Sequence, residues 1–157
     1  MIDRIKALFG ERADARPGQT MEDELQLAAA VVLVEAARLD GVFDEREQAK
    51  VRELLGGRFG LSGNEVETLL EAAQAIQSER HQLLPYTRAI KQHFSEDERI
   101  RLMEMLWEVV YADDVLHDYE ASLLRRIGGL IYVTDRERGA ARRRVLERRA
   151  GSTGAEE

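Results

Sequence analysis

Apolar residues along this chain recur at the three-to-four spacing of helices and never with the sustained alternation of a strand, so the pattern predicts an all-α protein. From Leu25 to Leu39 almost every position is apolar, and between Leu27 and Ala37 the only charged residue is Glu35. A helix apolar on all sides belongs at the centre of a bundle, which places Glu35 at least half-buried. Asp40-Gly41 breaks this helix, and Asp44 with Glu47 has the spacing of a capping box that opens the next one, ending at Gly56-Gly57. Ser62 with Glu65, Ser95 with Glu98 and Thr134 with Glu137 repeat that signal. The helix after Ser62 turns Val66, Leu69, Leu70, Ala73 and Ile76 inward. A shorter one near Pro85 carries Tyr86, Ile90 and Phe94. Ile100 to Ala112 packs through Leu102, Met103, Leu106, Trp107 and Val110, and Glu120 to Ile131 follows an acidic turn from Asp113 to Asp118. The outcome is a single-domain bundle of about seven helices.

Part of the pattern occurs twice, at an offset of 73 residues. Leu33, Glu35, Asp40, Val42, Glu47 and Arg52 recur as Leu106, Glu108, Asp113, Val115, Glu120 and Arg125. Each copy reads as an apolar helix bearing one acid, an acidic turn, and a second helix with Glu near its start. The chain therefore contains an internally duplicated helical hairpin.

At the ends, Met1 to Phe9 places Ile2, Ile5, Leu8 and Phe9 on one helical face, and the breaker-rich stretch through Pro17 and Gly18 follows. Residues 1–20 read as a short amphipathic helix that docks on the bundle, followed by a flexible linker. The domain proper spans 21–149, and residues 150–157 read as a disordered tail. The 157 residues suffice for one domain with one substantial core. Cysteine is absent, which excludes disulfides, thiolate metal sites and thiol nucleophiles, including reduction of a substrate by the chain's own thiols. No segment approaches a membrane span, and the expected location is cytoplasmic. The net charge of −7 is uneven: residues 134–157 carry +2, leaving −9 on residues 1–133. Such a body attracts cations and repels nucleic acid.

The chemistry worth weighing lies in the two acidic turns. Hard divalent cations need several convergent oxygen ligands, and carboxylates around a turn supply them. Glu35, Asp40, Asp44, Glu47, Glu108, Asp113 and Glu120 are the candidate ligands of a divalent cation (Ca, Mg or Zn). An ordinary EF-hand is excluded, because Ala36 and Arg38 stand where its leading acids belong. Helix capping by itself accounts for Asp44 and Glu47. Glu35 and Glu108 require more: an ionised carboxylate in a core needs a metal, a hydrogen-bond network or an arginine such as Arg38, Arg125 or Arg126. A di-iron bundle is excluded by the absence of any Glu-x-x-His pair, and His81, His93 and His117 share no ligand spacing.

The segments Tyr86-Thr87-Arg88, His93-Phe94, Glu98-Arg99, Leu106 to Asp113, Asp118-Tyr119-Glu120 and Leu130 to Val133 resemble the TerB tellurite-resistance family, over roughly Leu25 to Arg144. That family's hallmark is a twice-occurring Ala-Asp-Gly turn followed by a helix-opening Glu. Here the turns read Leu39-Asp40-Gly41 with Glu47 and Ala112-Asp113-Asp114 with Glu120, so Asp114 departs from the pattern. The resemblance implies an all-helical bundle of about seven helices, a role in tellurite or broader chemical stress, and no enzymatic reaction. It also implies membership of a membrane-associated or metal-dependent assembly, and related domains serve as interaction modules in some J-domain co-chaperones.

Three functional readings follow. The first is a non-catalytic scaffold that binds partner proteins, reaches a membrane only through a partner, and holds a cation in its acidic turns. The second is a carboxylate-based enzyme using Glu35 or Glu108 as general acid or base. The third is an anionic-surface binder acting through Arg136, Arg138, Arg142, Arg143, Arg144, Arg148 and Arg149, against which stands the favoured reading of a solvated helix that pairs with the acidic body.

Overall fold

The computed structural model describes residues 21–38, 44–80, 83–112 and 118–155, and these form seven helices with no strand among them. In chain order they are α1 (Met21–Ala37), α2 (Glu45–Phe59), α3 (Gly63–Arg80), α4 (Leu84–His93), α5 (Glu96–Val110), α6 (Asp118–Leu130) and α7 (Asp135–Ala155). The amphipathic helix and linker expected in residues 1–20 lie outside the described residues. Helix α7 continues to Ala155, across the boundary expected at 149.

The central position expected for the first apolar helix is observed. Residues Leu27 to Val34 of α1 are buried without a break, and Ala36 and Ala37 join them. This is possible because α2, α3, α4, α5 and α6 all pack against α1. Helix α5 is the second axis, in contact with α1, α2, α6 and α7. Its burial is wider than one stripe for that reason: Met105 and Val109 are enclosed along with Leu102, Met103, Leu106, Trp107 and Val110.

All four capping boxes form. Asp44 Oδ1 accepts the Glu47 N–H at 2.8 Å, and Ser62, Ser95 and Thr134 accept from Glu65, Glu98 and Glu137 at 3.3, 3.1 and 3.1 Å. Each glutamate returns an oxygen to the N–H of its capping residue. Helix α4 has no such box; Pro85 occupies its first turn, where a missing N–H is harmless. Its one enclosed polar side chain, Thr87, donates to the Leu83 and Leu84 carbonyls. At its other end Arg99 donates to the Phe94 carbonyl at 3.0 Å.

The end of α2 differs from expectation. The helix runs through Gly56-Gly57 to Phe59, and the left-handed residue is Gly60, at φ 64°. At Gly56 an added Cβ would make ordinary van der Waals contact with Val66 of α3, at 3.5 Å. Helix α6 ends in a Schellman turn, with the Val133 N–H on the Gly128 carbonyl at 2.8 Å and the Tyr132 N–H on Gly129. The left-handed position falls on Tyr132, at φ 63°, which costs about 1 kcal/mol relative to glycine.

Two outcomes are expected in denaturation experiments. Gly60→Ala should lose about 1 kcal/mol because of its positive φ, whereas Gly57→Ala, with nothing within 4 Å of the new Cβ, should gain about 0.5 to 1 kcal/mol of helix propensity. The carboxyl of Glu137 is held below the usual range first by the Thr134 N–H and then by the Thr134 hydroxyl. A depressed carboxyl stabilises the fold above its unfolded pKa of about 4.3 and loses that contribution as pH falls through the lower folded value. Thr134→Ala should therefore be less sensitive to acid below about pH 4 than the wild type.

Candidate functional site: two carboxylate hairpins and an ionic ladder

The helices of the two expected hairpins pack in pairs, α1 with α2 and α5 with α6, and α1 also packs on α5. Among the expected ligands, Asp40 and Asp113 lie outside the described residues. Glu47 and Glu120, the equivalent acids in the first turns of α2 and α6, are only 6% and 5% exposed. Asp44 is the N-cap of α2, its carboxylate turned to the helix amides. Glu35 is half-buried on α1, with its Oε2 closed off from solvent. No three acidic or imidazole groups among the described residues converge on a point where one ion could sit. The acids thus occupy the two hairpins, without a complete ligand set in the described part.

Glu108 is engaged elsewhere. Its Oε1 accepts from Arg148 Nη2 at 3.2 Å and its Oε2 lies 3.5 Å from Lys50 Nζ, with the Glu108 side chain 13% exposed. The cations that meet it are therefore Lys50 from α2 and Arg148 from α7, not Arg38, Arg125 or Arg126. One turn earlier, Glu104 accepts from Arg144 Nε at 3.0 Å and from Arg148 Nη1 at 2.7 Å. The result is a ladder in which Glu104 and Glu108 on α5 face Arg144 and Arg148 on α7, each pair one turn apart. Arg148 holds its proton more tightly than usual, mainly through its hydrogen bond to Glu104 and then through the Glu104 and Glu108 charges, against the opposing effect of burial. Spacing alone carried part of this signal, because both pairs have i, i+4 separation; which pair would meet which did not follow from it.

Other α7 arginines also turn inward. Arg142 donates to the Tyr111 hydroxyl at 2.7 Å and lies 5.7 Å over the Trp107 ring, Arg149 lies 6.0 Å over Tyr111, and Arg138 pairs with Asp135. The Trp107 indole N–H donates to the Arg138 carbonyl at 3.2 Å. Arg142, Arg144, Arg148 and Arg149 of α7 are thus engaged with α5 and the Tyr111 that caps it, while Arg138 pairs within its own helix and Arg136 and Arg143 are exposed. Beside the ladder, α2 and α5 enclose an open groove of about 430 Å³ lined in part by Lys50, Leu54, Arg58, Arg101 and Met105.

A family model described as "Tellurite resistance protein TerB" matches residues 26–143, which take in both helix pairs except the first five residues of α1, and the first nine residues of α7. Comparison with curated proteins and with solved structures gives no match.

Glu104→Gln removes the charge shared by Arg144 and Arg148. Such partly exposed pairs contribute about 0.2 to 1 kcal/mol each, so urea denaturation should show a loss of about 1 kcal/mol at low salt. The difference from wild type should shrink as salt is raised.

Proposed function

The chain belongs to the TerB family, and on that premise we propose that it is a non-catalytic helical scaffold that binds partner proteins in the tellurite or chemical-stress response and holds a divalent cation at its acidic turns. Family membership makes it a tellurite-resistance-associated helical domain. The observation that carries the cation reading is the burial of Glu47 and Glu120 at equivalent places, 73 residues apart, each at the mouth of an acidic turn. A carboxylate so enclosed costs several kcal/mol unless positive charge or donors compensate it; neither glutamate is without a partner, the Asp44 N–H serving Glu47, and a cation would add to that compensation. Asp40 and Asp113, in the turns themselves, supply further hard oxygen ligands of the kind Ca²⁺ and Mg²⁺ take; Zn²⁺ accepts carboxylates as well.

The non-catalytic part of the reading is supported by the use to which Glu108 is put. Of the two carboxylates that an acid–base mechanism would draw on, Glu35 and Glu108, the second is ion-paired to Lys50 and Arg148. The arginines of α7 are likewise spent largely on α5, which favours a scaffold over a surface that gathers polyanions.

Thermal unfolding in chelator, then with Ca²⁺, Mg²⁺ and Zn²⁺ in turn, tests the cation. Binding at about 100 times the dissociation constant adds about 2.7 kcal/mol, a shift of several degrees in Tm for a domain of this size. Asp40→Asn combined with Asp113→Asn should abolish that shift while the far-ultraviolet signal of the helices persists. Melting curves that coincide in chelator and in all three metals would remove the cation from the proposal.

A further inference from the structure

Helices α4 and α6 pack against each other and form a face used by neither the acidic turns nor the ionic ladder. Its composition departs from that of the rest of the chain. Residues 83–94 and 121–134 contain no Asp or Glu, in a protein that has 30 of them, yet they hold Arg88, Lys91, His93, Arg125 and Arg126. The exposed positions are Leu84, Arg88, Gln92 and His93 on α4, and Asp118, Tyr119, Ser122, Arg125, Arg126 and Gly129 on α6, so the first turn of α6 contributes one exposed acid and the basic positions lie beyond it. The end of α4 reaches the turn after α6, where Lys91 Nζ sits 4.9 Å from the centre of the Tyr132 ring.

Three features separate this face from an ordinary solvated surface. Among the described residues, Arg88, Arg125 and Arg126 make no hydrogen bond or ion pair, in contrast to the arginines that α7 turns toward α5. Large apolar groups stand out from it, with Tyr132 67% and Leu84 52% exposed. Tyr132 is also the one non-glycine among the described residues with positive φ, so an exposed aromatic ring is presented from a backbone conformation that would suit glycine better.

We propose that the α4–α6 face docks an acidic segment of a partner protein, with Tyr132 and Leu84 as apolar anchors and Arg88, Lys91, Arg125 and Arg126 as its charge partners. The proposal rests on the reading of the chain as a protein-binding scaffold and names the surface and the chemistry of the partner. Charge complementarity selects that partner. A chain of net charge −7 repels the dense fields of nucleic acid or an anionic bilayer, while a short basic face within it accommodates a few carboxylates. Tyrosine and arginine are the side chains most able to carry such a contact.

The test is fluorescence anisotropy of the full chain with a labelled synthetic peptide of Glu and Leu in a helical repeat, alongside phosphatidylserine vesicles and a single-stranded oligonucleotide. Saturable peptide binding is expected, weaker by about tenfold or more in the double variant Arg125→Glu, Arg126→Glu, where like charges would face each other. Arg136→Glu with Arg143→Glu, the same charge change on α7, should leave the affinity near wild type. Tyr132→Gly should weaken binding while melting no lower than wild type, a separation that an aromatic with only a structural role would not give. Equal losses in the two double variants, or full binding by the Arg125, Arg126 variant, would overturn the face and leave the scaffold reading standing. Tighter binding to vesicles or oligonucleotide than to peptide would overturn the acidic-protein partner. No peptide binding by the wild type would overturn the docking face as well, and the cation-dependent melting stands or falls separately.

Discussion

A helix with no polar side has to be surrounded, and most of this architecture follows from that demand by α1. Its enclosed run from Leu27 to Val34 leaves no direction in which water could be tolerated, so five other helices are drawn to it. Alanines at 28, 29, 30, 36 and 37 let those neighbours approach closely, while Leu27, Leu33 and the valines fill the spaces between. The hairpins are therefore not independent units. The first contributes the axis and the second contributes α5, the element that joins the axis to the outer helix.

The outer helix obeys different physics. Few of its side chains are enclosed, Ala141 and Val145 among them, and its sequence is strongly polar. Its attachment depends on guanidinium groups placed over carboxylates and aromatic rings of α5. Each such contact is individually modest and screened by salt, but several along one helix are additive where they do not share a partner. Core and periphery thus respond to different solution conditions: temperature acts on both, ionic strength mainly on α7.

Local signals were the legible ones. The four Ser, Thr or Asp residues followed by Glu three positions later mark four helix starts, because a capping box is complete within a few residues of chain. The apolar run of α1 announced its own burial for the same reason. The end of α2 is not legible locally, because Gly56 and Gly57 look like a stop signal, whereas the helix passes through both and Gly60 makes the left-handed turn. The partners of Glu108 were missed because Lys50 and Arg148 lie 58 residues upstream and 40 downstream, and no periodicity encodes which of many cations will arrive. The acids of the two hairpins were legible as a repeat. Whether they converge is not something helical spacing encodes, and Asp40 and Asp113 lie outside the described residues.

Trp107 occupies the seam between these two regimes. It is the chain's single tryptophan, enclosed on α5, stacked on Tyr111 at a centroid distance of 6.0 Å and bonded through its indole N–H to the backbone of α7. The protein accordingly carries its own optical reporter at the junction most sensitive to ions. Lifting α7 alone would wet the indole and shift its emission to the red, while the circular dichroism of the inner helices stayed nearly constant. Partial opening of the periphery and collapse of the core are thus spectroscopically separable without any added label.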